Sequence, residues 1–189
     1  MLHSEAEIIQ KLEAGNEICL NMLYDNYYRA LCLYGLRFVA DPDDAEDVVQ
    51  DVFVAFWQNK KGTIFTGSVR SYLFGAVVKA ASKFAVRNKR IMFDDVEKYI
   101  DNFLDELNEY DEEEFVLLKN KVCAEVDALP DKTREVFKAV VLENMTYQQV
   151  GERCGITVNT VKTLYYRALK HLKERLGGEN VILFLMITR

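Results

Sequence analysis

Four cysteines and two histidines are the side chains of this 189-residue chain that could ligate zinc or form a nucleophilic pair. Cys19, Cys32, Cys123 and Cys154 stand 13, 91 and 31 residues apart, so none belongs to a Cys-x-x-Cys clip, and His3 and His171 lie far from them in sequence. That spacing supports neither a metal site nor a Cys-His nucleophile, and no phosphate-cradling loop is present; the expectation is no cofactor and no enzymatic chemistry. What remains able to act is charge and aromatic surface.

Charge is distributed in blocks. The chain holds 30 acidic and 24 basic residues, yet residues 1–57 carry 3 basic and 11 acidic side chains while residues 58–93 carry 8 basic and none acidic. Residues 94–114 then carry Lys98 against 11 acids, and residues 115–189 carry 12 basic against 8 acidic. The net charge of −6 therefore hides two positive surfaces. In the first, Lys60, Lys61, Arg70, Lys79, Lys83, Arg87, Lys89 and Arg90 alternate with aromatic residues, the footprint expected where backbone phosphates and unstacked bases are held.

Helices must position these groups, because 2 prolines and 9 glycines are too few to punctuate a sandwich or barrel. Ser4 and Glu7 form a capping box before a short helix, and a second helix is expected from Asn16 to about Ala40. Asp41-Pro42-Asp43-Asp44 is a helix start, with an N-cap oxygen, a proline at the first position and acids opposing the macrodipole. Ala45, Val48, Val49, Val52, Phe53 and Phe56 continue it as one core face, leaving Asp43, Asp47, Gln50 and Asp51 on the other. After a loop over residues 58–67, Ser68 caps a helix to about Arg90, with Val69, Tyr72, Leu73, Ala76, Val77 and Ala80 facing the core.

The acidic stretch reads as a linker over residues 93–113, separating a domain at 1–92 from a second at 114–176; residues 177–189 form an apolar tail. Free in solution, the linker is expected to fold back over the basic surfaces and mask them. The fold class is thus all-α, two small helical domains, the second containing a helix-turn-helix. Thr146 and Gln149 make a capping box, Gly151 falls where the two helices cross and Gly155 at the turn, and Val150, Cys154, Ile156, Val161 and Leu164 take the inward slots. Thr157 caps the recognition helix, leaving Val158, Asn159, Thr160, Lys162, Thr163, Tyr166 and Arg167 outward, with Lys170, Lys173 and Arg175 extending the positive surface. The early outward residues are placed to read base edges and the later basic ones to hold phosphates.

The run from Asp41 to Phe53 with Phe56-Trp57 behind it, then Ser68-Val69-Arg70-Ser71-Tyr72-Leu73-Phe74, resembles the second region of extracytoplasmic-function sigma factors of the sigma-70 family. Leu129-Pro130, Arg134-Glu135-Val136-Phe137 and the helix-turn-helix resemble their fourth region. The resemblance implies a transcription initiation factor that binds bacterial core RNA polymerase, directs it to promoter DNA and assists melting. It makes Asp44, Asp47, Gln50, Asp51 and Phe53 polymerase contacts, and Lys60, Lys61, Ile64, Phe65, Arg70, Lys79, Lys83 and Arg87 contacts to the minus-10 element, with residues 58–67 taking a flipped base. Thr157, Val158, Asn159, Thr160, Lys162, Thr163, Tyr166, Arg167 and Lys170 become minus-35 contacts, and an anti-sigma factor is expected as a partner. Val78-Lys79 and Lys83 stand where the family usually carries an Arg-Asn pair and then an Asp.

The alternative is a free-standing helix-turn-helix regulator that binds duplex DNA as a dimer, which leaves the acid-free block without a use. The N-terminal residues lack a signal-peptide pattern and the longest apolar run, residues 181–187, is far shorter than the ~20 residues that span a bilayer, so a cytoplasmic location without membrane insertion is expected.

Overall fold

The computed structural model describes residues 3–87 and 112–187, with residues 85–87, 112, 113, 115 and 187 by their backbone alone. Every regular element among them is a helix. The chain divides into two compact units, Met1–Asn108 and Glu109–Arg189. The expected linker lies outside the described residues up to position 111, as do Lys89 and Arg90, and so does the masking expected of it.

The first unit contains α1 (Glu5–Glu13), α2 (Ile18–Gly35), α3 (Pro42–Lys60) and α4 (Val69–Arg87). α2, α3 and α4 pack against one another, and α1 lies on α2 and α3. Starts are set by local chemistry. Ser4 and Glu7 exchange backbone hydrogen bonds in a full capping box, and Asp41 accepts from the Asp43 N–H at 2.9 Å ahead of Pro42. The six apolar residues of the α3 stripe are all buried, the valines and phenylalanines each contributing on the order of 1.5–3 kcal/mol of transfer free energy.

Two expectations need correction. α2 ends at Gly35, not near Ala40: the Phe38 and Val39 N–H groups both return to the Gly35 carbonyl, so residues 36–39 turn while Phe38 and Val39 stay buried. In α4 the core face is Val69, Leu73, Phe74, Val77, Val78 and Ala81, one position round from the expected stripe. Tyr72 is 37 % exposed and Ala76 and Ala80 are half-buried, because Phe74 and Val78 bring more apolar area to the core than the alanines could.

The second unit contains α5 (Glu112–Asp127), α6 (Asp131–Val141), α7 (Tyr147–Cys154), α8 (Val158–Leu176) and α9 (Gly178–Ile187). Arg134 fixes the α5–α6 turn, donating through Nη1 to the carbonyl oxygens of Asp127 at 2.9 Å and Leu129 at 3.3 Å. α8 is the central element, packed on α5, α6, α7 and α9. The apolar tail is part of this unit: Val181, Ile182, Leu183, Phe184 and Leu185 are all buried, as a helix apolar on every side requires.

Candidate nucleic-acid interface

In the helix-turn-helix the capping box at Thr146 closes, with the Gln149 N–H donating to Thr146 Oγ1 at 3.2 Å and the Thr146 N–H to Gln149 Oε1 at 2.8 Å. Gly155 ends α7 in the left-handed conformation, φ 64°, which glycine adopts without steric cost. Thr157 then caps α8 by accepting from the Thr160 N–H at 3.2 Å. This sequence of cap, left-handed turn and cap fixes where the first turn of α8 begins, and so which side chains it presents.

Thr157, Val158, Asn159, Thr160 and Thr163 are exposed there, together with Arg167 and Lys170 further along; Lys162 and Tyr166 are half-buried. Lys162 Nζ lies 5.8 Å from the centroid of the Tyr147 ring, a cation–π contact that ties its stem to α7. Of the inward slots, Val150 and Val161 are fully buried, whereas Cys154, Ile156 and Leu164 are half-buried. Tyr165 takes the central place: it is 2 % exposed, with ring contacts to Phe137, Tyr147 and Tyr166. The positive surface narrows at its far end, where Arg175 and His171 both face Glu125 at 3.4 Å.

The first unit offers a different surface. Phe56, Phe65 and Tyr72 form a three-ring cluster, with centroids 5.7 Å apart for Phe56–Phe65, 5.1 Å for Phe56–Tyr72 and 6.0 Å for Phe65–Tyr72. Lys60 Nζ lies 5.4 Å from the Tyr72 ring and Lys61 Nζ 5.7 Å from the Trp57 ring. Beside the cluster Ile64 projects with 87 % of its surface exposed. Of the two loop residues expected as minus-10 contacts, Phe65 thus joins the ring cluster and Ile64 points to solvent. Lys79 and Lys83 are exposed on α4, and Arg70 is half-buried in its first turn. The Arg87 side chain lies outside the described residues.

On α3, Asp47, Gln50 and Asp51 are exposed and Asp44 is half-buried; Phe53 is 6 % exposed against Tyr28 and does not join that surface. Sequence reasoning passed over the partners that hold these surfaces: Tyr72 and Trp57 under the lysines, Tyr147 under Lys162, and the α1 carboxylates of Glu5 and Glu13. Trp57, one turn before Lys61, is a local signal; the Tyr72, Tyr147 and α1 contacts are non-local and carry none.

Cys19 and Cys32 are core residues, and Cys123 and Cys154 are half-buried. Burial pushes the Cys19 thiol up to about 11 and moves Cys154 in the same direction. Among the described residues no cluster of His, Cys, Asp and Glu is arranged to hold a metal ion, and no helix is long and apolar enough to cross a membrane.

Residues 23–91 match the sigma-70 region 2 family and residues 124–172 match sigma-70 region 4. Together they cover more than half of the chain, one match in each compact unit. The chain is similar to the ECF RNA polymerase sigma factor SigK of Mycolicibacterium vanbaalenii, 26 % identical over 77 % of this chain and 76 % of that protein. It is 24 % identical to the RNA polymerase sigma factor SigV of Bacillus subtilis, over 86 % of this chain and 92 % of that one. It is 20 % identical to the RNA polymerase sigma-H factor of Pseudomonas aeruginosa, over 91 % and 93 %. The chain belongs to the sigma-70 family, in its extracytoplasmic-function branch, and is an RNA polymerase sigma factor that serves promoter-directed transcription initiation.

Proposed function

We propose that this sigma factor divides its work among three surfaces. The exposed face of α3, with Asp44, Asp47, Gln50 and Asp51, docks on core RNA polymerase. The loop after α3 and the cations of α4 hold the melted minus-10 strand, Ile64 and the ring cluster forming the apolar side of a site for an unstacked base. The first turns of α8 read the minus-35 duplex while Arg167 and Lys170 grip its phosphates. The protein works in the cytoplasm, and an anti-sigma factor restrains it until its signal arrives.

The observation that carries this reading is the division of α3 into two faces: an unbroken buried stripe and, opposite it, Asp47, Gln50 and Asp51 exposed on successive turns. A carboxylate face of this kind suits a positively charged partner, and neither positive surface of this chain would recruit one. The test is gel filtration of the purified chain with core polymerase, beside a variant carrying both Asp47→Ala and Asp51→Ala. Stoichiometric binding that the variant weakens about tenfold or more is expected for two lost charge pairs. Failure to bind an active core, with dimerisation and tight duplex binding by the chain alone, would return the free-standing regulator.

A further inference from the structure

We infer that α1 is the positioning element for the loop that presents Ile64, and that it acts through the carboxylates of Glu5 and Glu13. The inference rests on the reading of this loop as the place that takes a melted base. Gly62 and Gly67 bracket the loop with left-handed backbones, φ 71° and 100°, and glycine is the residue whose backbone is least restrained by its own sterics. Thr63, Ile64 and Thr66 between them are exposed. A segment built this way holds one shape only if something outside it does the holding.

α1 does so at three levels. The Leu12 carbonyl oxygen accepts from the Gly62 N–H at 2.8 Å. Glu13 Oε1 accepts from the Phe65 N–H at 3.0 Å, next to the residue that projects. Glu5 Oε1 accepts from both the Ser68 hydroxyl and the Arg70 N–H at 3.0 Å. Ser68 in turn accepts from the Ser71 N–H at 3.3 Å, so Glu5 orients the cap of α4 and places its charge at that helix's N-terminus. These contacts join residues 50 to 65 positions apart. They leave Ile64 outside the clamp but fix the backbone on both sides of it, which is the preorganisation that selection of one base requires.

The test uses the whole chain with bacterial core polymerase, bound to fork-junction duplexes whose single-stranded non-template segment is randomised, followed by sequencing of the bound DNA. The unsubstituted protein is expected to enrich a base at one position, and Ile64→Ala to lose that enrichment. Glu13→Ala is expected to reduce it about tenfold, the scale of one stacked base, with core binding and thermal midpoint unchanged. Glu13→Gln, whose amide oxygen still accepts the Phe65 N–H, is expected to retain it. Enrichment by Glu13→Ala equal to the unsubstituted protein, while Ile64→Ala loses it, would overturn the positioning role and leave base capture standing. Equal loss in Glu13→Ala and Glu13→Gln, or a loss of core binding in Glu13→Ala, would overturn the positioning role as well. No enrichment by the unsubstituted protein, or none lost by Ile64→Ala, would overturn the base-capture reading and the inference with it.

Discussion

A β-carbon placed on Gly151 would meet the carbonyl oxygen of Ile156 at 2.8 Å, closer than real contacts allow, and that oxygen belongs to the backbone between α7 and α8. The close approach is what lets the two helices of the helix-turn-helix cross. Gly151→Ala must therefore push the turn outward and displace Thr157, whose cap sets the start of α8. It is expected to destabilise the protein by about 1–3 kcal/mol in urea unfolding, the range for overpacking. A variant as stable as the parent would show that the turn yields without strain.

Gly155 is constrained for a different reason. A β-carbon there meets nothing within 4 Å, but the residue has φ 64°. The cost of a side chain is conformational, on the order of 1–2 kcal/mol for most residues. Gly155→Ala is expected to lower the thermal midpoint, and Gly155→Asn to lower it less, since asparagine tolerates the left-handed region. Equal losses in the two would mean that the conformation is not the constraint.

These two glycines were legible in the sequence because each answers to a local rule, close crossing or left-handed turn, and the rule fixes the residue type. The α3 stripe was legible because six apolar residues in one register have a single way to be buried. The α4 stripe lies one position from its expectation: Tyr72 is apolar in its ring and polar at its tip, so periodicity alone does not exclude it, while Val78, which stands where the family usually carries a polar residue, is fully buried. The α1 clamp was invisible, because Glu5 and Glu13 read in sequence as ordinary helix acids and only the fold brings them to residues 65–70. The apolar run of the tail had no periodicity to give it a face, and a helix buried on every side needs none.

That burial makes the tail a structural part of the second unit. Phe184 is 1 % exposed, and truncating a buried phenylalanine costs about 3–5 kcal/mol in transfer free energy and cavity. Phe184→Ala is expected to lower the unfolding free energy measured in urea by that amount. A change under about 1 kcal/mol would mean that α9 contributes little to folding, since even a partly collapsed cavity costs more than that.

The last expectation concerns acid. Lys138 Nζ donates to Asp127 Oδ1 at 2.7 Å, and this hydrogen bond, with the lysine's charge, holds the Asp127 carboxyl below the usual carboxylate range. A carboxylate whose folded-state pKa is depressed stabilises the fold at pH above its unfolded-state value, and that contribution is lost as pH falls through the depressed one. Both side chains are solvent-accessible, so salt must weaken the pair. Asp127→Asn removes the charge while leaving the Asp127 carbonyl oxygen to accept from Arg134 Nη1, so the α5–α6 turn keeps its backbone tie. The variant is expected to be less stable than the parent at neutral pH and low salt, to approach it as the pH falls below the carboxylate range, and to approach it at neutral pH in 1 M salt. Urea midpoints measured on both proteins across that pH range decide the matter: a difference that does not shrink toward acid would place the effect in the packing of the turn instead of the charge.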